Sequence, residues 1–266
     1  MAKQIAIIGA GVMGETLLAA VLKSGHSTDS VVITEKRAER ATELHEKYGV
    51  RVLENVEAAA TADILLLVVK PQDMVAVLAE VGPVVRPGST VMSLAAGISI
   101  AAVEAAVADG VAVIRAMPNT PALVDEGMFG LSPGKDCGDE QLNAARELLE
   151  SSGKVVVLDE EYQNALTGVS GSGPAYVFYL AEAMIAGGVS AGLDEDTART
   201  LTIQTIVGSA KLLDSSPEGP EVLRRRVTSP NGTTAAAIAA FDERGVKDSV
   251  VAGVLAAASR SAELSQ

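Results

Sequence analysis

A short apolar run, Ile5-Ala6-Ile7-Ile8, empties directly into Gly9-Ala10-Gly11-Val12-Met13-Gly14, and nothing else in the chain restricts its fold as tightly. A β-rich run that ends in Gly-x-Gly-x-x-Gly and continues as a helix reads as a strand–turn–helix unit. The first glycine permits the tight turn. The second lets backbone approach a pyrophosphate, and the third lets the helix pack closely on the sheet. The helix start then offers free N–H groups and a favourable dipole to phosphate. A purely structural glycine turn is the competing reading at this point.

Strand-like and helix-like segments alternate from there. Strands are predicted at Gln4–Gly9, Ser30–Thr34, Val50–Leu53, Ile64–Val69, Ser89–Leu94, Val111–Ala116 and Val155–Leu158. Ile64–Val69 is apolar throughout, the mark of a strand buried on both faces. Pro71 then opens a helix at the first turn, where its missing N–H is tolerated. This pattern predicts an α/β chain with an N-terminal Rossmann-type, mainly parallel, doubly wound sheet. After Asp159 no further strand is predicted. Helices are expected over about 163–169, 174–192, 195–214, 218–227, 233–244 and 248–264. The expected division is therefore 1–159, a nucleotide-binding domain, and 160–266, an all-α domain.

Composition narrows the function. The net charge of −13 leaves no basic platform, so nucleic acid is not an expected partner. The single cysteine, Cys137, has no internal disulfide partner, which suits a reducing cytosol. The first strand begins so soon after Met1 that no signal peptide is expected. A cytoplasmic location follows as an expectation. The most apolar stretch, Ala175–Val189, is interrupted by Glu182 and Gly187-Gly188. It falls short of the roughly 20 apolar residues a membrane span needs, and reads as a buried helix. No metal site is predicted.

At the end of the second strand stands Thr34-Glu35-Lys36-Arg37. An acid there would hold an adenosine ribose 2′-hydroxyl and favour NAD, whereas Lys36 and Arg37 would hold a 2′-phosphate and favour NADP. Two cations against one anion tilt the reading to NADP. Val69-Lys70-Pro71 and Leu94-Ala95-Ala96-Gly97 close two further strands, where doubly wound sheets bind ligands. Either is also readable as a plain strand end. For chemistry, only His26 and His45 offer imidazoles, and both lie away from those strand ends. An alcohol dehydrogenase using a histidine base is therefore disfavoured. A protonated imine needs less: it is already an electrophile, and the site must supply orientation and a clamp for a carboxylate. Ser229-Pro230-Asn231-Gly232-Thr233-Thr234, just before an Ala-rich helix, suits that task. An ordinary Ser/Thr helix cap is the rival reading.

Several fragments occur together in order. They are Ile8–Gly14, Val69-Lys70-Pro71, Leu94–Ile98, Arg115-Ala116-Met117-Pro118-Asn119-Thr120-Pro121, Val169–Tyr176 and Val227–Thr234. In this order they resemble the pyrroline-5-carboxylate reductase family over essentially the whole chain. The resemblance implies hydride transfer from NADPH, with NADH as the other candidate donor, to the C=N of 1-pyrroline-5-carboxylate, giving L-proline in the last step of proline biosynthesis. Reduction of a related cyclic imine carboxylate is the alternative. It implies that Ile8, Gly9, Ala10, Gly11, Val12 and Met13 bind pyrophosphate and that Asn55 lies on the adenosine side. Val68, Val69, Lys70 and Pro71, together with Ala95, Ala96 and Gly97, match further cofactor segments, and Asn119 lies beneath the nicotinamide. It implies that Ser229, Gly232, Thr233 and Thr234 hold the substrate carboxylate. The Thr234 hydroxyl serves the ring nitrogen as hydrogen-bond or proton donor, which makes it the catalytic candidate. The helical half is implied to bind substrate and to form a homodimer, which can assemble into a larger ring. Asn231 departs from the family's usual glycine, at a position where Asn tolerates left-handed backbone.

Overall fold

The structure is a computed structural model that describes residues 3–265. One compact unit runs as far as Gly171 and takes in the tail from Ala257 onward; the other is Ser172–Ala256.

The first unit is built on an eight-stranded sheet in the order β3-β2-β1-β4-β5-β6-β7-β8. The strands are β1 (Ile5–Ile8), β2 (Val31–Thr34), β3 (Arg51–Val52), β4 (Ile64–Leu67), β5 (Thr90–Ser93), β6 (Ala112–Met117), β7 (Gly127–Pro133) and β8 (Gly153–Val157). β1 to β6 are parallel, β7 runs antiparallel to β6, and β8 is parallel to β7. Chain order reverses at β1, where Ile8 is in register with Thr34 on one side and Leu67 on the other. That reversal is where such sheets bind ligands.

The burial of β1 explains why its sequence is apolar at every position. Ile5 and Ile7 face a core with Leu17, Leu18, Leu44, Phe129 and Leu148. Ala6 and Ile8 face a second core with Ala58, Leu65, Met74 and Leu78. Helices α1 (Val12–Lys23), α2 (Ala38–Tyr48), α3 (Asn55–Thr61), α4 (Pro71–Val81), α5 (Ile100–Glu104) and α6 (Asp139–Glu150) supply these side chains. α1, α2 and α6 feed the first core and α3, α4 and α5 the second.

β7 is a strand the sequence pattern does not announce. Its two glycines look like turn signals, but both answer to packing. A Cβ on Gly127 would sit 2.8 Å from the Ser152 carbonyl, and one on Gly130 would sit 2.0 Å from a Leu166 methyl. Leu166 ends the short helix α7 (Gln163–Leu166), which continues as a π turn over Thr167–Gly171. α7 and the π turn thus pack with the sheet-bearing unit, whose contact boundary lies at 171/172.

The second unit holds α8 (Gly173–Ser190), α9 (Glu195–Ser215), α10 (Pro220–Arg226), α11 (Thr233–Glu243) and the first part of α12 (Val246–Leu264). Asp194 caps α9 by accepting the Thr197 N–H at 2.9 Å. Within this unit Ala198 and Thr202 are the only described residues that are buried. α8 was expected to be a buried helix, yet in the single chain it buries no residue. Phe178 is 62% exposed and Tyr179 75%. A helix apolar on all sides needs cover, and the helices of one copy do not provide it. Among the described residues no helix is long and apolar enough to cross a membrane.

Candidate active site

The glycine turn is shaped by contacts a side chain would destroy. Gly9 has φ +95, and a Cβ there would lie 2.8 Å from the Val68 carbonyl. A Cβ on Gly14 would lie 2.1 Å from the Gly9 carbonyl, so α1 packs against the turn only without one. Gly9 and Ala10 donate their N–H groups to the Thr34 carbonyl at 3.2 and 3.1 Å, fixing the turn to the end of β2. Gly11 differs: a Cβ there would meet nothing within 4 Å. It is the N-cap of α1, and no side chain caps that helix. The first N–H groups of α1 therefore face an open cradle. Ile8 and Ala10 are buried beneath it, and Val12, 68% exposed, stands at its edge beside Met13. An anionic pyrophosphate fits this cradle.

Beside it, a cleft of about 280 Å³ is lined by Thr34, Glu35, Lys36, Val52, Leu53, Glu54, Asn55 and Glu57. This is where the adenosine side was expected. Asn55 opens α3 and donates its amide to Glu80 at 2.9 Å. Arg37 is already paired with Glu35. Its Nε and a terminal nitrogen bond the two Glu35 oxygens at 3.0 and 3.2 Å, and its backbone N–H donates to the same carboxylate at 3.0 Å. The Arg37 guanidinium holds the Glu35 carboxyl below its usual range, and Glu35 in turn raises Arg37.

Val68 and Val69 are half-buried after β4, and exposed Lys70 is the N-cap of α4, with Pro71 opening it. After β5, Ala95 is buried, Ala96 is half-buried and Gly97 has φ +78. The Leu264 carbonyl lies 2.6 Å from where a Gly97 Cβ would be, so the end of α12 seals this loop from one side. Asn119 follows β6 and is committed on both ends of its amide. It accepts from the Met128 N–H at 2.8 Å and donates to the Ser170 carbonyl at 3.2 Å. It thereby ties β7 to the π turn; sequence reasoning had only its motif to go on.

In the helical unit, Gly232 is the N-cap of α11 and no side chain caps it. The rival reading of a Ser/Thr cap is therefore not what forms. Asn231 has φ +57, the left-handed backbone its side chain tolerates. Gly232 donates to the Ser229 carbonyl at 3.0 Å, and a Cβ on Gly232 would lie 2.5 Å from the Ser229 hydroxyl. Among the described residues the hydroxyls of Ser229, Thr233 and Thr234 have no hydrogen-bond partner. The loop thus offers uncapped N–H groups and three unclaimed hydroxyls, a set suited to a carboxylate.

His45 is bonded through Nδ1 to the Val50 carbonyl at 2.8 Å. Burial raises the Cys137 thiol, away from nucleophilic character. No group of His, Cys, Asp and Glu side chains among the described residues is placed to hold a metal ion.

Residues 160–264 match the pyrroline-5-carboxylate reductase dimerisation family. Residues 4–97 match the family described as NADP oxidoreductase, coenzyme F420-dependent. The chain is 42% identical to pyrroline-5-carboxylate reductase of Pseudomonas aeruginosa, over 99% of this chain and 97% of that one. It resembles the solved pyrroline-5-carboxylate reductase of Coxiella burnetii with a TM-score of 0.93 and 30% identity, covering 99% of each chain. It also resembles that of Plasmodium falciparum, solved with NADP bound, at a TM-score of 0.88 and 26% identity, covering 99% of this chain and 98% of that one.

Proposed function

Since the chain belongs to the pyrroline-5-carboxylate reductase family, we propose that its glycine turn and its α11 loop divide the work of reducing 1-pyrroline-5-carboxylate to L-proline. The chain is an NAD(P)H-dependent oxidoreductase and a homo-oligomer. NAD(P)H supplies a hydride to the imine carbon. Ile8 to Met13 hold the pyrophosphate on the α1 start, and Asn55 with Lys36 and Arg37 borders the adenosine side. Val68 to Pro71 and Ala95 to Gly97 form the strand-end walls, and Asn119 holds β7 and the π turn in place. This assigns the nucleotide work to residues 1–159, and substrate binding and dimerisation to residues 160–266.

Ser229, Gly232, Thr233 and the α11 N–H groups clamp the substrate carboxylate. The Thr234 hydroxyl hydrogen-bonds the ring nitrogen, which keeps its proton as the C=N bond becomes a C–N bond. The hydride would become the new C–H bond as the C=N π pair moves onto nitrogen, and the cofactor would be left oxidised. No strong acid or base is required, in keeping with a histidine content of two, one of them tied to backbone.

The observation that carries this reading is the α11 start, whose N–H groups and hydroxyls are left unclaimed by the chain itself. The Thr234→Ala substitution is expected to lower kcat by roughly 10- to 100-fold. Thr234→Ser should restore most of it, and the Kd for NAD(P)H should stay within about twofold of wild type. Equal losses in kcat and in cofactor affinity would reduce Thr234 to a structural role. The same proposal includes a cytoplasmic location, no nucleic-acid partner, and dimers that assemble into a ring.

A further inference from the structure

We infer that Glu35 sets the cofactor preference, holding Arg37 away from a ribose 2′-phosphate so that the chain takes NADH at least as readily as NADPH. The inference rests on the reading above that the β2-end cleft receives the adenosine ribose. Three carboxylates, Glu35, Glu54 and Glu57, line that cleft against one cation, Lys36. The neighbouring cations are already committed. Arg37 makes its two-pronged contact with Glu35, and Arg40 bonds both Glu15 and Glu43. Among the described residues Lys36 has no ion pair and remains the one unengaged cation lining the cleft.

The Glu35–Arg37 contact is well suited to persist. The Glu35 side chain is only 8% exposed, and Arg37 anchors it through backbone as well as guanidinium. A 2′-phosphate brings between one and two negative charges. A phosphate that reaches Arg37 must share the guanidinium with Glu35, whose carboxylate already holds Nε and one terminal nitrogen and repels the phosphate. A 2′-hydroxyl makes no such demand and can donate to the carboxylate. Counting two cations against one anion in the sequence leaves out that Arg37 is already paired with Glu35.

Binding of NADH and NADPH to the full chain tests this by titration calorimetry, alongside 5′-AMP and 2′,5′-ADP, which differ only in the 2′-phosphate. Wild type is expected to bind NADH at least as tightly as NADPH, and 5′-AMP at least as tightly as 2′,5′-ADP. Glu35→Gln releases Arg37 and should shift the NADPH-to-NADH affinity ratio toward NADPH by roughly tenfold, about 1.4 kcal/mol. A shift below about threefold overturns the inference, as does a wild type that favours both 2′-phosphorylated ligands. The AMP comparison needs no variant, so it decides the matter even if Glu35→Gln does not fold. If both dinucleotides bind and the ratio is unmoved, the inference alone fails. If neither binds, the cofactor reading falls and takes the inference with it.

Discussion

The two units of this chain keep their apolar residues in opposite ways. The sheet-bearing unit buries Phe129 completely and packs β1 between two cores, whereas the helical unit leaves Phe178, Tyr179, Leu201 and Leu255 at least half exposed. The difference teaches what each unit can do by itself. The first has enough interior to hold a rigid glycine turn in place. The second has an apolar surface that its own helices leave open, and it matches a dimerisation family. An apolar residue in one unit is therefore fold stability, and in the other it is assembly.

The sharpest way to break this contrast is a pair of phenylalanine truncations. Phe129→Ala should cost about 3–5 kcal/mol in chemical denaturation, since the residue is fully buried. Phe178→Ala should leave that measurement little changed at low protein concentration. It should instead weaken self-association by about 1–3 kcal/mol, measured by analytical ultracentrifugation. A similar loss of fold stability from both would erase the distinction.

The glycine turn offers a smaller pair. Gly14→Ala forces a methyl against the Gly9 carbonyl, and overpacking of this kind costs about 1–3 kcal/mol. Gly11→Ala meets open space. It should melt as wild type does, yet bind NAD(P)H roughly tenfold more weakly, because the methyl occupies the phosphate cradle. A Gly11→Ala protein with unchanged affinity would mean the cradle is not the phosphate site.

The smallest expected effect concerns Glu15 in the first turn of α1, which accepts from Lys47, Arg40 and Tyr48. Burial by itself would raise its pKa, but those three hydrogen bonds outweigh burial and lower it from 4.5 to about 2. A depressed carboxyl stabilises the fold at pH values above 4.5, and that contribution is lost as pH falls through about 2. Glu15→Gln should therefore be less stable than wild type at neutral pH, by no more than about 1 kcal/mol for so accessible a network. The gap should close between pH 4.5 and 2. A gap that widens on acidification would contradict the assigned sign.

These contrasts mark how far the sequence is legible. The strand–turn–helix opening, the parallel strands and the helical second half are written in local periodicity, because an element's own apolar pattern shows whatever it later packs against. β7 is not, since Gly127 and Gly130 are explained by contacts with Ser152 and Leu166, distant in the chain. Nor is the state of Arg37: the letters Glu35-Lys36-Arg37 give charges, and only the side-chain geometry pairs two of them. The apolar composition of α8 signals burial but not by what, and within this chain the helix buries no residue. In the candidate site, the α11 loop was readable as a hydroxyl-rich helix start. Whether its own side chains would cap that helix was not readable, and the Gly232 N-cap answers it.

The most direct test of the account is stoichiometry. Purified chain supplied with 1-pyrroline-5-carboxylate and NAD(P)H should form one proline for each NAD(P)H oxidised, with no oxidation when the imine is withheld. Tight NAD(P)H binding without imine-dependent oxidation, or oxidation that yields no proline, would contradict it.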